Sequence, residues 1–332
     1  MSFKRISTLL FLMACLPALA YSQGASKVAT TAGQFLKMEP GSRAMGMGGA
    51  FVAQANDASS IWWNPAGMVR LDRTEAMFMH ANWLAGIKYE FVSAVAPFGD
   101  NAVGVSVTSL NYGQMEVTTV QQPDGTGEMF TPTSLALTVG YSRRLSDDFS
   151  FGINAKYVND QIKNSGASAF AIDVGTLYKV GILSIGAAIS NFGTKMQMTG
   201  ADLNRVIQVG NDPNVVSTLK TVQYDLPLRL CVGLAFQVLQ DGMNNLVLAS
   251  DVVHSNDNSE YVNVGGEYNW NNIVSLRAGY QELGIPDREA GLTLGGGVQV
   301  YVSNALTMKV DYSYGAFGRL LNIQRFTFAL DF

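Results

Sequence analysis

The segment Arg325-Phe326-Thr327-Phe328-Ala329-Leu330-Asp331-Phe332 alternates without a break. Phe326, Phe328, Leu330 and Phe332 fall on one side, and Arg325, Thr327, Ala329 and Asp331 on the other. Side chains along a strand point alternately to opposite faces, so this is a β-strand with one greasy face and one polar face. Three further segments repeat the pattern. Leu230, Val232, Leu234 and Phe236 oppose Arg229, Cys231, Gly233 and Ala235; Phe149, Phe151, Ile153 and Tyr157 oppose Ser150, Gly152, Asn154 and Lys156; Leu306, Met308, Val310 and Tyr312 oppose Thr307, Lys309 and Asp311.

Working back from that last strand, segments of this kind recur from about residue 74 onward, separated by turn residues. About fourteen are predicted: 75–84, 87–97, 101–111, 133–144, 148–160, 168–178, 181–191, 225–237, 245–254, 260–269, 272–281, 289–301, 305–314 and 321–332. If the C-terminal Phe332 lies on the periplasmic side, short connections such as Phe98-Gly99-Asp100, Val180-Gly181 and Val302-Ser303-Asn304 all fall on that side. The long ones, 112–132 and 192–224, fall on the other. Short periplasmic turns with longer extracellular loops mark an outer-membrane barrel, and a soluble sandwich has no reason to sort its loops by length. An even strand number also closes the sheet and removes its edges. The fold class is therefore all-β, a transmembrane antiparallel barrel. Trp83 and Trp270 are expected at its outer and inner interfaces.

Composition agrees. Of 332 residues, 48% are hydrophobic and only 14% charged, against roughly 25% charged in soluble domains. No stretch beyond the N-terminus approaches the ~20 apolar residues of a membrane helix. A net charge of -4 without a Lys/Arg cluster argues against nucleic acid as a partner.

Residues 1–20 read as an export signal: Lys4 and Arg5, an apolar run from Ile6 to Leu16, then Ala18-Leu19-Ala20. Leu12-Met13-Ala14-Cys15 also resembles a lipoprotein box. However, Leu16 to Ala20 continue the apolar run where a polar linker would stand, which favours ordinary export. Cys231 is then alone, and no disulfide framework exists. Residues 21–70 are a periplasmic lead-in followed by the least strand-like stretch, Phe35 to Met68, and residues 71–332 form the barrel. That stretch holds Gly41, Gly46, Gly48 and Gly49, the paired Trp62 and Trp63, and the turn Asn64-Pro65-Ala66-Gly67. Small residues permit close backbone packing. The stretch is expected to start at the periplasmic mouth and to hand over to the first strand at Asn64-Pro65.

No catalytic constellation is legible, and neither enzyme activity nor a cofactor is expected. Gly46-Met47-Gly48-Gly49 lacks a preceding strand, a following Lys-Ser/Thr and the G-x-G-x-x-G spacing of a phosphate loop. His80 and His254 stand alone, so no metal site is expected. Asp124 to Glu128 lacks the full calcium-loop ligand pattern. Two features stand out instead. The inward positions carry Lys156, Asp173, Arg229, Asp251, Arg277, Lys309, Asp311 and Arg325, and their mixed signs favour mutual pairing over an ion-selective ring. The loop 192–225 carries Met196, Met198, Leu203, Val206 and Ile207, too apolar for plain disorder. It either binds an apolar partner or folds over its own barrel.

Ala44-Met45-Gly46-Met47-Gly48-Gly49-Ala50, Asn56-Asp57-Ala58-Ser59 and Trp63-Asn64-Pro65-Ala66-Gly67-Met68 together resemble the N-terminal signature of FadL-type outer-membrane proteins. They are closer still to the PorV/PorQ branch. The resemblance implies that Gly46, Gly48, Gly49, Trp62, Trp63, Asn64 and Pro65 belong to a hatch that plugs the lumen. FadL members carry hydrophobic compounds or fatty acids across the outer membrane. PorV and PorQ relatives serve type IX secretion as partners of the translocon and the surface-attachment complex. The chain is shorter than PorV proper and has fewer long loops. The expectation is a monomeric, integral outer-membrane barrel in contact with lipid. Its likeness implies a large translocon or surface-complex protein as partner, engaged through extracellular loops.

Overall fold

Alternation along the chain produces a closed wall. A computed structural model describes Val28 and residues 30–209, 212–286 and 288–332; the expected signal segment, with Cys15, lies outside them. The barrel strands are β1 (Glu75–Asn82), β2 (Lys88–Phe98), β3 (Asn101–Asn111), β4 (Thr133–Arg144), β5 (Phe149–Ile162), β6 (Ser165–Val180) and β7 (Leu183–Gly193). The second half comprises β8 (Arg229–Gln240), β9 (Asn244–Ser255), β10 (Tyr261–Trp270), β11 (Val274–Leu283), β12 (Ala290–Ser303), β13 (Leu306–Phe317) and β14 (Asn322–Asp331). Each pairs antiparallel with the next, and β1 closes on β14 in register from Glu75↔Asp331 to Asn82↔Gln324. This 14-strand closed sheet leaves no wall strand with an unpaired edge in the bilayer.

The alternation also sets the two faces. On β14, Ile323, Arg325, Thr327 and Ala329 are buried, while Phe326 and Phe328 are exposed to the surroundings. Val139, Phe170, Leu276 and Val300 continue that outward apolar band around the wall, where acyl chains rather than water surround them. Inner turns span two to four residues, and the long connections 112–132 and 194–228 lie at the outer end. The outer connection between β5 and β6 is a two-residue turn, because these strands run 14 and 16 residues and carry the sheet outward in place of a loop.

One strand starts four residues later than the pattern suggests, and no other starts more than two later. β8 begins at Arg229 rather than at residue 225. Pro227 has no N–H to give a ladder, and the Leu228 N–H turns back to the Leu226 carbonyl at 2.9 Å. Leu226 is thereby freed from the wall and packs beside Phe35 and Leu36.

Residues 30–74 fill the lumen with short helical turns: Gln34–Lys37, Ser42–Gly46, Ser60–Trp63 and Pro65–Arg70. Their direction differs from the expected one. The Ala32 N–H bonds the Asp225 carbonyl of the long outer loop at 2.9 Å, whereas Arg70 reaches the Asp148 carbonyl of an inner turn at 2.9 Å. The described start of the segment is therefore at the outer mouth, and the chain descends to the periplasmic side before β1. Asn64-Pro65 does not hand over to β1 either. Asn64 caps a 3-10 helix by accepting from the Ala66 N–H at 3.1 Å, with Pro65 in its first turn.

Candidate functional site: the plug and the two mouths of the lumen

The plug is fastened at three levels. At the outer mouth Asp257, in the loop 256–260, accepts from Thr31 at 2.7 Å and Gln34 at 2.8 Å, and pairs with Lys37 at 2.9 Å. Burial alone would raise this carboxyl. The bonds from Lys37, Ser255, Gln34 and Thr31 outweigh it and hold the group below the usual carboxylate range. Just beneath, Glu39 pairs with Arg229 at 2.7 Å and accepts from Gln281 at 3.1 Å. Burial pushes Glu39 up to about 7, against the pull of Arg229 and Arg325.

At mid-depth Arg43 meets Glu267 of β10 with two parallel bonds of 2.8 and 2.9 Å, the fork geometry that a guanidinium offers a carboxylate. Glu267 also binds Arg277 at 2.6 Å, and Arg277 continues to Asp311. On the neighbouring strand β9, Asp251 accepts the N–H groups of Phe51 and Val52 at 2.8 and 2.9 Å. The side-chain amide of Asn64 bridges the Val52 carbonyl and the Thr176 carbonyl of β6, both at 3.0 Å. Near the inner mouth Glu75 accepts from the Ala58 N–H and pairs with Lys309, each at 2.7 Å.

Between these anchors, backbone meets backbone. A Cβ placed on wall residue Gly265 would run into the Met47 carbonyl, on Gly279 into the Gly48 N–H, on Gly186 into the Val52 carbonyl and on Gly152 into Pro65. Each of these glycines sits at an inward position of its strand, where the plug backbone comes closer than any side chain allows.

The hatch residues suggested by the sequence fall at these contacts. Gly46 lies against Gly295 and Arg277, Gly48 against Tyr280 and Val264, and Gly49 against Glu39 and Asn263. Trp62 and Trp63 stack edge to face at 4.7 Å beneath the Arg229 guanidinium, and the Trp63 indole N–H donates to the Pro40 carbonyl at 3.1 Å. Asn64 and Pro65 occupy the seat left by Gly175. What the sequence reading missed is the other half of the joint, namely the wall glycines and the carboxylate Glu267; Asp251 was expected to face inward, but its plug N–H partners were not. Glycine at an inward position in mid-strand was the available signal.

The inward charges pair within the lumen. Lys156 meets Asp173 at 3.1 Å, Arg229 meets Glu39, Arg277 meets Glu267 and Asp311, and Lys309 meets Glu75 and Asp331. Asp251 is met by plug N–H groups and not by a cation, so Asp251 and Arg325 are the two members of the set with no ion pair among the described residues. Trp83 is not an interface anchor. It continues the inward register of Met77, Met79 and Ala81, and stacks on Tyr89 and Phe317 with Arg325 over its ring at 5.3 Å. Trp270 does face outward and is exposed.

The long outer loop has two parts. Met196 is buried, exchanges backbone bonds with Tyr224 at 2.9 and 3.0 Å, and packs with Phe35 and Leu226. It therefore cannot present itself to a partner, and Met198 lies partly buried against the same cluster. Above them Asn204–Val209 and Asp212–Thr218 form a two-stranded hairpin joined to no wall strand, with Val206, Ile207 and Val216 exposed and Leu203 at its base. Two cavities flank the plug: about 280 Å³ on the outer side and about 960 Å³ on the periplasmic side.

A plugged, closed 14-strand barrel with an outward apolar band is an integral outer-membrane protein, and its fold is that of FadL-type barrels. Residues 21–253 match the family model described as type IX secretion system protein PorV, and the chain belongs to that family. Among solved structures it is similar to the CymD monoaromatic hydrocarbon channel (TM-score 0.55, 12% identity, 87% of this chain and 96% of that one). It is also similar to the Ralstonia pickettii toluene transporter TbuX (0.53, 12%, 89% and 98%) and to the Pseudomonas putida toluene transporter TodX (0.52, 14%, 86% and 96%). At such identities the likeness concerns the fold. No curated protein matches the chain.

Proposed function

We propose that this barrel is a non-enzymatic partner subunit of a type IX secretion translocon or surface-attachment complex, engaging a large protein through its extracellular loops. The observation that carries this reading is the hairpin 204–218. It stands clear of the wall with Val206, Ile207 and Val216 exposed, above a lumen whose plug is tied to the wall at every level. An exposed apolar ribbon with free edges suits a protein partner, and a plug seated backbone to backbone suits a stopper rather than a gate. Membership of the PorV family supports the same direction.

A second reading, a channel for hydrophobic small molecules, is favoured by the outer cavity of about 280 Å³ beside the plug. It is also in keeping with the hydrocarbon channel and toluene transporters that share the fold.

Affinity capture of the tagged protein from native outer membranes separates the two. Co-purification of a large outer-membrane protein, lost in the double variant Val206→Glu/Val216→Glu while the barrel still folds, supports the partner reading. Recovery of the wild-type barrel alone, with lipid or detergent in its lumen, overturns it.

A further inference from the structure

The periplasmic cavity, about 960 Å³ between the plug and the inner ends of β9–β14, lies near the upper end of the ~300–1,000 Å³ typical of ligand clefts. Charge creates no demand for a counter-ion there. Arg43 and Arg277 share Glu267, Arg277 also meets Asp311, and Lys309 lies between Glu75 at 2.7 Å and Asp331 at 2.8 Å. Arg73, at the rim, donates to the Asn304 carbonyl at 2.9 Å. Around the cavity six carboxylates stand against five cations, a near balance.

The unused valences of this cavity are neutral. Asn56 of the plug accepts from Arg43 at 2.8 Å and Asn245 of β9 accepts from Gln237 at 2.7 Å, so in both the amide NH2 is left without a partner among the described residues. Gln299 of β12 donates to the Tyr301 hydroxyl at 2.7 Å and keeps its carbonyl oxygen free. The side-chain amides of Asn272 and Asn304, in two inner turns, have no partner among the described residues. Beside them stands the Tyr301 ring, 57% exposed, with its hydroxyl 3.5 Å from the Asn272 carbonyl. The apolar lining is limited to Leu71, Met77, Val298 and Ala329.

We propose that the periplasmic cavity binds a short neutral oligosaccharide, its hydroxyls on the amides of Asn56, Asn245, Asn272, Gln299 and Asn304 and one ring on Tyr301. Each sugar hydroxyl both donates and accepts, so it can meet an NH2 or a carbonyl oxygen of a side-chain amide alike. The C–H face of a pyranose ring lies flat against an exposed aromatic ring, with its polar groups left at the edge. A charged ligand would find the ions already paired, and an apolar peptide would find little wall to cover it. The site depends on neither reading of the protein's function, because it lies at the opposite mouth from the hairpin 204–218 and the outer cavity.

Calorimetric titration of the full barrel, in a detergent without a sugar head group, with chitotetraose and with capped tetraglycine tests the site. Saturable binding of chitotetraose is expected, and none of the neutral peptide. Its affinity should change little between about 50 and about 500 mM sodium chloride, since no ion pair forms on binding. Gln299→Ala/Asn304→Ala removes two amides and Tyr301→Ala removes the ring, and each should weaken binding at least about tenfold. Tyr301→Phe keeps the ring and should retain most of the affinity. No saturable chitotetraose binding to the wild-type barrel, equal binding of capped tetraglycine, a steep loss with salt, or undiminished binding in both folded alanine variants overturns the proposal.

Discussion

Asp251 on β9 accepts the backbone N–H of Phe51 at 2.8 Å, and one carboxylate oxygen also takes the next N–H, from Val52, at 2.9 Å. The wall thus recognises the plug by its main chain, as a helix end recognises an anion. Nearby, the Val52 carbonyl is taken by Asn64, so both polar groups of one plug residue are satisfied within the lumen. A segment of this kind is positioned by geometry and tolerates little displacement.

Replacing Asp251 with Ala strands two buried N–H groups. Bonds to a charged acceptor contribute roughly 1.5–3 kcal/mol each, and a stranded donor costs a similar amount. Asp251→Ala should therefore lower the unfolding free energy by about 3 kcal/mol. Urea titration in detergent, followed by tryptophan fluorescence, reads this directly. Amide exchange at Phe51 and Val52 should quicken more than exchange in the wall strands. Equal protection in variant and wild type would show that the plug is held without Asp251.

Gly265→Ala places a methyl group in the path of the Met47 carbonyl. Overpacking of this kind costs about 1–3 kcal/mol, and relief requires the plug backbone to leave its seat. A lowered thermal midpoint and new conductance steps in planar bilayers are expected. Gly296→Ala is the control: it is on the same sheet, with no atom nearer than 3.9 Å to the added Cβ, and it should behave as wild type. Identical midpoints for the two alanine variants would refute the close-seating account.

Glu39 gives the plug a pH dependence. Burial, with Glu282 and Asp251 nearby, raises its carboxyl from 4.5 to about 7, while Arg229 and Arg325 act the other way. Gln281 donates a further hydrogen bond to it at 3.1 Å. The folded state then holds this proton more tightly than the unfolded chain. Glu39's contribution to stability is accordingly greatest below pH 4.5, falls as pH rises toward 7, and is flat above that, with a total change of up to about 3 kcal/mol. Urea midpoints measured from pH 5 to 8 for wild type and Glu39→Gln isolate the term, and the variant should lose this downward slope. Parallel profiles would assign the slope to other groups.

The barrel was legible because its code is local. A period of two, turn residues and loop lengths sorted by side place all fourteen strands, and β8 departs only because Pro227 breaks the ladder. Trp83 was legible too, since counting in twos from Met77 and Met79 puts it inside, although its position at a strand end suggested an interface anchor. The plug's direction was not readable. It depends on which wall carboxylate meets which plug residue, Asp257 at the outer mouth or Glu75 near the inner one, and those partners are separated by up to two hundred residues or more. The same holds for Met196. It looks like its neighbours Met198 and Leu203 in sequence, yet only the fold reveals that it lies under the loop rather than on it.

Glu267 is the shared counter-ion of Arg43 from the plug and Arg277 from the wall. Removing it leaves Arg43 with the longer contact to Asp57 at 3.2 Å and Arg277 with Asp311. Breaking a buried pair by deleting one partner costs about 3–5 kcal/mol, because the abandoned charge stays buried. Glu267→Leu alone should therefore be severe. Adding Arg43→Met removes one stranded guanidinium, and the double variant should recover part of the loss instead of adding to it. A double-mutant cycle by urea titration measures this coupling. Strict additivity of the two single effects would mean that the plug and the wall do not share this ion pair energetically, and that the plug is held at mid-depth by packing against the wall glycines alone.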